Sequence, residues 1–176
     1  MTEQYYPPAG FYFTVTVLGS GTALALLSDV DASFQEVSGI QAEFGVEEVV
    51  EGGENRFVHR LPKPAQHPNL VLKRGVVTRD SFLAEWVGLT VGSGLSLPIV
   101  TQNLLVTLLT PEGAPSIVWG FSNAYPIKWD VGPFDSTRNE VLTETLEFSY
   151  NYFERVNLGS GASVAIALSR LAASLV

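Results

Sequence analysis

Alternation of apolar and polar residues dominates the chain. Phe11, Phe13, Val15 and Val17 share one face of Phe11–Leu18, with Tyr12, Thr14 and Thr16 on the other. Side chains on an extended chain change face at every residue, so this pattern predicts a half-buried strand. The same reasoning predicts strands at Ala32–Val37, Asn69–Gly75, Gln102–Leu109, Ser116–Phe121 and Asn139–Tyr152. In Gln41–Glu51, the residues Gln41, Glu43, Glu47 and Glu51 fall on one face. Ala42, Phe44, Val46 and Val50 fall on the other, where Glu48 breaks the pattern. That segment is expected to be half-buried as well.

One stretch follows helical spacing. Phe82, Leu83, Trp86 and Leu89 form an apolar stripe on Ser81–Leu89, and Asp80 or Ser81 can cap it. Glycine and proline mark the connections: Ser38-Gly39, Gly52-Gly53 and Pro111-Glu112-Gly113. Gly52–His67 contains Pro62 and Pro64 and predicts a long irregular loop. Ala124–Trp129 (AYPIKW) predicts a short edge segment, because Pro126 has no N–H to give to a ladder. Met1–Gly10 predicts an extended arm, and Gly19–Asp31 an insertion with an extra strand segment or helical turn at Thr22–Leu27. In 157–176 the spacing of Val164, Leu168, Leu171 and Leu175 fits a packing or inter-subunit helix, although Val164, Ile166 and Leu168 also fit a strand.

A chain of 176 residues is the size of one domain. We read residues 1–156 as one β-domain with an insertion at 19–31, and 157–176 as a C-terminal extension. Charged residues make up 16% of the chain against about 25% in an ordinary soluble domain, which leaves little charge to solvate the exterior. Coverage by other subunits, or a larger core, accounts for such a deficit. The net charge of −8 argues against a nucleic-acid-binding surface as the main function, while an acidic conduit past which nucleic acid slides stays open. Without cysteine there is neither a disulfide nor a thiolate metal site. No apolar run reaches the length of a membrane span, and the N-terminus lacks the pattern of a signal peptide. The protein is therefore expected to fold in the cytoplasm of its producer.

Candidate chemistry is sparse. Gly19 and Gly21 begin a GxG, but Leu24 stands where a dinucleotide fingerprint needs glycine. His59 and His67 lie eight residues apart without a carboxylate set around them, short of the three or four ligands that zinc takes. The carboxylates Glu43, Glu47, Glu48 and Glu51 are spaced as a solvated strand face rather than as an acid–base pair. No enzyme, cofactor or metal is expected. A stand-alone β-barrel that binds a small apolar ligand and a hydrolase are the competing classes.

EVSGI at Glu36–Ile40, EGGEN at Glu51–Asn55, HPNLVLKRG at His67–Gly75 and a following helix with Trp86 occur in that order. AYPIKW at Ala124–Trp129 and NEVLTETLEFSY at Asn139–Tyr150 follow. In order and spacing these resemble the tail-tube proteins of contractile phages and the inner-tube proteins of phage-tail-like contractile injection systems, over most of Phe11 to Phe153. Gly19–Asp31, the apolar connector Thr90–Ile99 and Asn157–Val176 depart from that pattern.

The resemblance implies a mainly β fold: a small barrel of two packed antiparallel sheets with one flanking helix. It implies hexameric rings stacked into a hollow tube, with a contractile sheath, baseplate and spike, and terminator proteins as partners, and effector or DNA cargo in the lumen. It implies assembly into a phage tail or tail-like particle that is expelled on contraction. A tube-initiating or tube-terminating variant is the alternative within the class. In such proteins the segment after the second strand grips the neighbouring ring, which makes Arg56, Phe57, Val58, Arg60 and Leu61 the candidate ring–ring contact. The face of Gln41, Glu43 and Glu47 is the candidate lumen wall, with a position against the sheath as the alternative.

Overall fold

The computed structural model describes residues 13–18, 30–31, 34–53, 56–76, 81–134, 137 and 141–157. The N-terminal arm, most of the 19–31 insertion and the 158–176 extension lie outside the described residues. Ten strands and one helix follow in chain order: β1 (Phe13–Leu18), β2 (Val30–Asp31), β3 (Phe34–Ser38), β4 (Glu43–Val49), β5 (His59–Gln66), β6 (Leu70–Gly75), α1 (Phe82–Gly92), β7 (Gln102–Leu109), β8 (Pro115–Val131), β9 (Thr143–Ser149) and β10 (Tyr152–Asn157).

All pairing is antiparallel. The ladder runs β2-β1-β7-β8-β9-β6-β3, and β10 adds to the other side of β8. The 17-residue β8 joins two sheets. Its first half pairs with β7 and β10. Its second half, Tyr125–Val131, pairs with β9. Between the halves Asn123 takes φ 51, and its N–H is held by the Asn103 carboxamide oxygen at 3.0 Å. AYPIKW is thus no separate segment but the second half of this shared strand. Its edge character holds, since β9 is the one strand paired to it among the described residues.

The sheets close over a core that the alternation predicts. Val15, Val17, Leu104, Val106 and Phe121 come from one sheet, and Phe34, Leu70, Leu72, Leu146 and Phe148 from the other. α1 covers one flank. Ser81 caps it, its hydroxyl accepting from Ala84 N–H at 3.4 Å. Leu83, Trp86 and Val87 point inward, and Trp86 stacks on Phe148 with ring centroids 5.5 Å apart. The expected stripe is therefore rotated: Val87 is buried, while Phe82 and Leu89 face outward.

Two positions lock the strands in register. Gly39 turns the chain after β3 with φ +86, and a Cβ there would collide with the Asn69 carbonyl oxygen. The Tyr150 hydroxyl donates to the Gly39 carbonyl at 3.2 Å, and burial pushes that phenol's pKa up. Arg74 on β6 lies directly opposite Glu144 on β9, both buried, with Nε donating to Oε1 at 2.6 Å. The second carboxylate oxygen accepts from the Trp129 indole at 2.9 Å. The guanidinium also meets the Ser81 hydroxyl at 3.4 Å and lies over the Phe34 ring, 5.4 Å from its centroid.

The structure corrects two further expectations. Gly52–His67 is not an irregular loop: after a glycine turn, His59–Gln66 returns as β5 and pairs with β4 as a separate two-stranded sheet. β4 is not half-buried either. Neither face of this hairpin reaches the core, so the apolar residues of β4 stand in solvent. The prolines are tolerated because β5 has one paired edge and a bulge, where the partner of Phe44 is Ala65 but that of Val46 is Pro62.

Two substitutions test these locks. Gly39→Ala should lose about 2 kcal/mol or more of unfolding free energy in urea, since both the φ and the space exclude a side chain. Arg74→Met should cost about 3–5 kcal/mol by stranding the Glu144 carboxylate, and adding Glu144→Leu should recover most of that loss.

Candidate assembly surfaces

The β4–β5 hairpin carries every residue put forward for the lumen and ring contacts apart from Gln41, which precedes it, and Arg56, Phe57 and Val58, which lie between its strands. Cross-strand partners share a face. Glu43, Glu47 and Val49 stand opposite Gln66, Leu61 and His59 on one face. Phe44, Val46 and Glu48 stand opposite Ala65, Pro62 and Arg60 on the other. Glu48, which broke the sequence pattern, is thus matched by Arg60 across the ladder, with Nε 3.6 Å from Oε1. Lys63 lies 3.6 Å from Glu47, and His59 the same distance from Glu51.

Gln41 donates to Glu43 at 3.2 Å, so the structure brings two of the three lumen candidates into contact, while Glu47 turns to Lys63. Of the ring–ring candidates, Phe57 packs edge-on against His59 with centroids 5.0 Å apart. Phe57, Val58 and Leu61 are all exposed, as is Arg56. Arg60 is already engaged by its own chain.

Three further surfaces escaped the sequence reading. Phe44 and Val46, expected inside, are 68% and 47% exposed. Beyond α1, Leu95, Leu97, Ile99 and Val100 project from a turn. The signal was present in sequence: no charged residue occurs between Trp86 and Pro111. The outward face of the β9 sheet is polar, with Thr143, Thr145, Glu147 and Ser149 half-buried between their neighbours. There the Lys128 ammonium donates to Glu147 at 2.9 Å, which raises the lysine pKa. Among the described residues, no cluster of histidine and carboxylate groups is arranged to hold a metal ion, and no helix is long and apolar enough to cross a membrane.

Among the described residues, a two-sheet barrel with open sheet edges, a hairpin off the core and large exposed apolar surfaces mark a subunit of a larger structural assembly. Residues 9–154 match the family model described as T4-like virus tail tube protein gp19, and the chain belongs to that family. By that family it is a tail-tube subunit.

Among solved structures, the chain is similar to a protein in the anti-feeding prophage (AFP) baseplate at 25% identity and TM-score 0.74, covering 89% of this chain and 99% of that one. It is also similar to a protein of the extracellular contractile injection system PVC sheath–tube complex in its extended state, at 20% identity and TM-score 0.71, over 88% and 95%. The fold extends to Hcp1 from Flavobacterium johnsoniae at 15% identity and TM-score 0.51, over 84% and 97%. No curated protein sequence matches.

The hairpin's ion pairs are exposed, so each should be worth little. A double-mutant cycle of Glu48→Ala and Arg60→Ala on the dispersed subunit should give a coupling of about 0–1 kcal/mol that fades in high salt.

Proposed function

We propose that this subunit forms hexameric rings that stack into a hollow tube, surrounded by a contractile sheath, seated on a baseplate with a spike and closed by a terminator. The tube conducts effector or DNA cargo and is expelled when the sheath contracts. The protein is made in the producer's cytoplasm and incorporated into a phage tail or tail-like particle. Its role is structural rather than enzymatic.

One observation carries this reading: the β4–β5 hairpin has no core of its own and exposes large apolar side chains on both faces. A two-stranded hairpin alone is marginal in water, and exposed apolar area of this kind marks a surface that another molecule covers. Among the described residues, β2, β3, β10 and the second half of β8 each keep one edge without a strand partner, and such edges invite pairing with neighbours in a ring. Closed symmetry uses such edges without uncontrolled growth.

In this reading Arg56, Phe57, Val58, Arg60 and Leu61 supply the ring-to-ring contact, and Pro62 and Pro64 limit the entropy lost on docking. Gln41, Glu43 and Glu47 face the channel as an acidic wall. Repetition around each ring and along the tube multiplies contacts that are individually small.

The double variant Arg56→Glu with Phe57→Ser should fold with unchanged circular dichroism but fail to form tubes by negative-stain microscopy. Full-length tubes from that variant would remove the ring–ring assignment. Wild-type protein that stays monomeric at all concentrations would remove the tube reading. Wild-type protein that stops at single rings would favour a capping subunit.

A further inference from the structure

The turn after α1 is built in the reverse sense to an ordinary surface loop. Its polar groups are engaged inward: Ser93 Oγ donates to the Thr90 carbonyl at 3.2 Å, Ser96 Oγ to the Ser93 carbonyl at 2.7 Å, and Ser96 N–H to the same carbonyl at 3.1 Å. The Trp86 indole anchors the far end by donating to the Val100 carbonyl at 3.0 Å. Its apolar side chains are turned outward, with Leu95 76%, Leu97 52% and Val100 55% exposed. Leu95 takes φ 68, a left-handed conformation that disfavours a leucine, and burial within its own chain does not offset that strain. A strained backbone with satisfied polar groups and outward leucines is a preorganised apolar contact.

We infer that Leu95, Leu97, Ile99 and Val100 receive the Phe44 and Val46 face of the hairpin from another copy of this chain. Charge selects the occupant. No charged residue lies between Trp86 and Pro111, so this segment itself offers no counter-charge to a partner that brings an unpaired ion. The hairpin face brings none, because its carboxylate, Glu48, is matched by Arg60 within the same hairpin. Both surfaces stand exposed in the single chain, so neither covers the other. Two different complementary patches on one subunit make a heterologous contact, which extends from copy to copy.

The contact rests on the tube reading and adds to it a second pairing between copies, apolar and insensitive to salt, beside the one assigned to Arg56, Phe57, Val58, Arg60 and Leu61.

The chain has no cysteine, so Phe44→Cys and Leu97→Cys are clean reporters. Assembled particles of the double variant, treated with copper-phenanthroline and run on a non-reducing gel, should show a ladder of cross-linked subunits. Each single variant should not. Tubes visible by microscopy without a ladder, or a cross-link to a different chain, would overturn the contact and leave the tube reading standing. Wild-type protein that never assembles would overturn both. As a second arm, Leu95→Asp with Leu97→Asp should keep the circular dichroism of the folded subunit and lose assembly at both low and high salt. Full-length tubes from that variant would also overturn the contact.

Discussion

A single buried ion pair sets the geometry on which the rest of the fold depends. Arg74 and Glu144 face each other across β6 and β9, and both are removed from water. Removing two charges from water is costly, and attraction offsets the cost only when further hydrogen bonds satisfy the remaining donors and acceptors. Here the extra partners come from three different elements: Ser81 at the start of α1, Trp129 on β8 and the ring of Phe34 on β3. The pair therefore also fixes where the helix begins and how β8 lies on β9. A one-residue slip of either strand would carry its charged side chain to the opposite face, away from all these partners.

The hairpin lives by a different balance. Its ion pairs, Glu48–Arg60 and Glu47–Lys63, lie at the surface, where each contributes at most about 1 kcal/mol. They set opposite charges against each other across the ladder, but they add almost nothing to its stability against solvent. The barrel thus buries its own core, whereas the hairpin leaves its apolar side chains in solvent.

The sequence disclosed the barrel because its strands bury one face in their own core, and alternation reports that directly. The same alternation in β4 was misleading for a physical reason: periodicity shows that a face is apolar, not which molecule covers it. Phe44 and Val46 obeyed the rule and still stand in solvent. Pro62 and Pro64 hid β5, because a strand with one free edge and a bulge accepts residues that a central strand rejects. The phase of α1 was unreadable, since apolar residues such as Phe82, Leu89 and Val91 surround the buried Leu83, Trp86 and Val87. Nothing local linked Arg74 to Glu144, seventy residues apart. The turn at Leu95–Val100 did leave a trace, an unbroken absence of charge, which becomes informative once exposure is known.

β8 has a mechanical consequence. Because one continuous strand belongs to both sheets, neither can shear past the other without tearing hydrogen bonds from β7, β10 or β9. A load entering through one sheet passes to the other along covalent backbone rather than across a greasy interface. In a tube built of such subunits the softest joints lie between subunits, and the subunits themselves behave as rigid links.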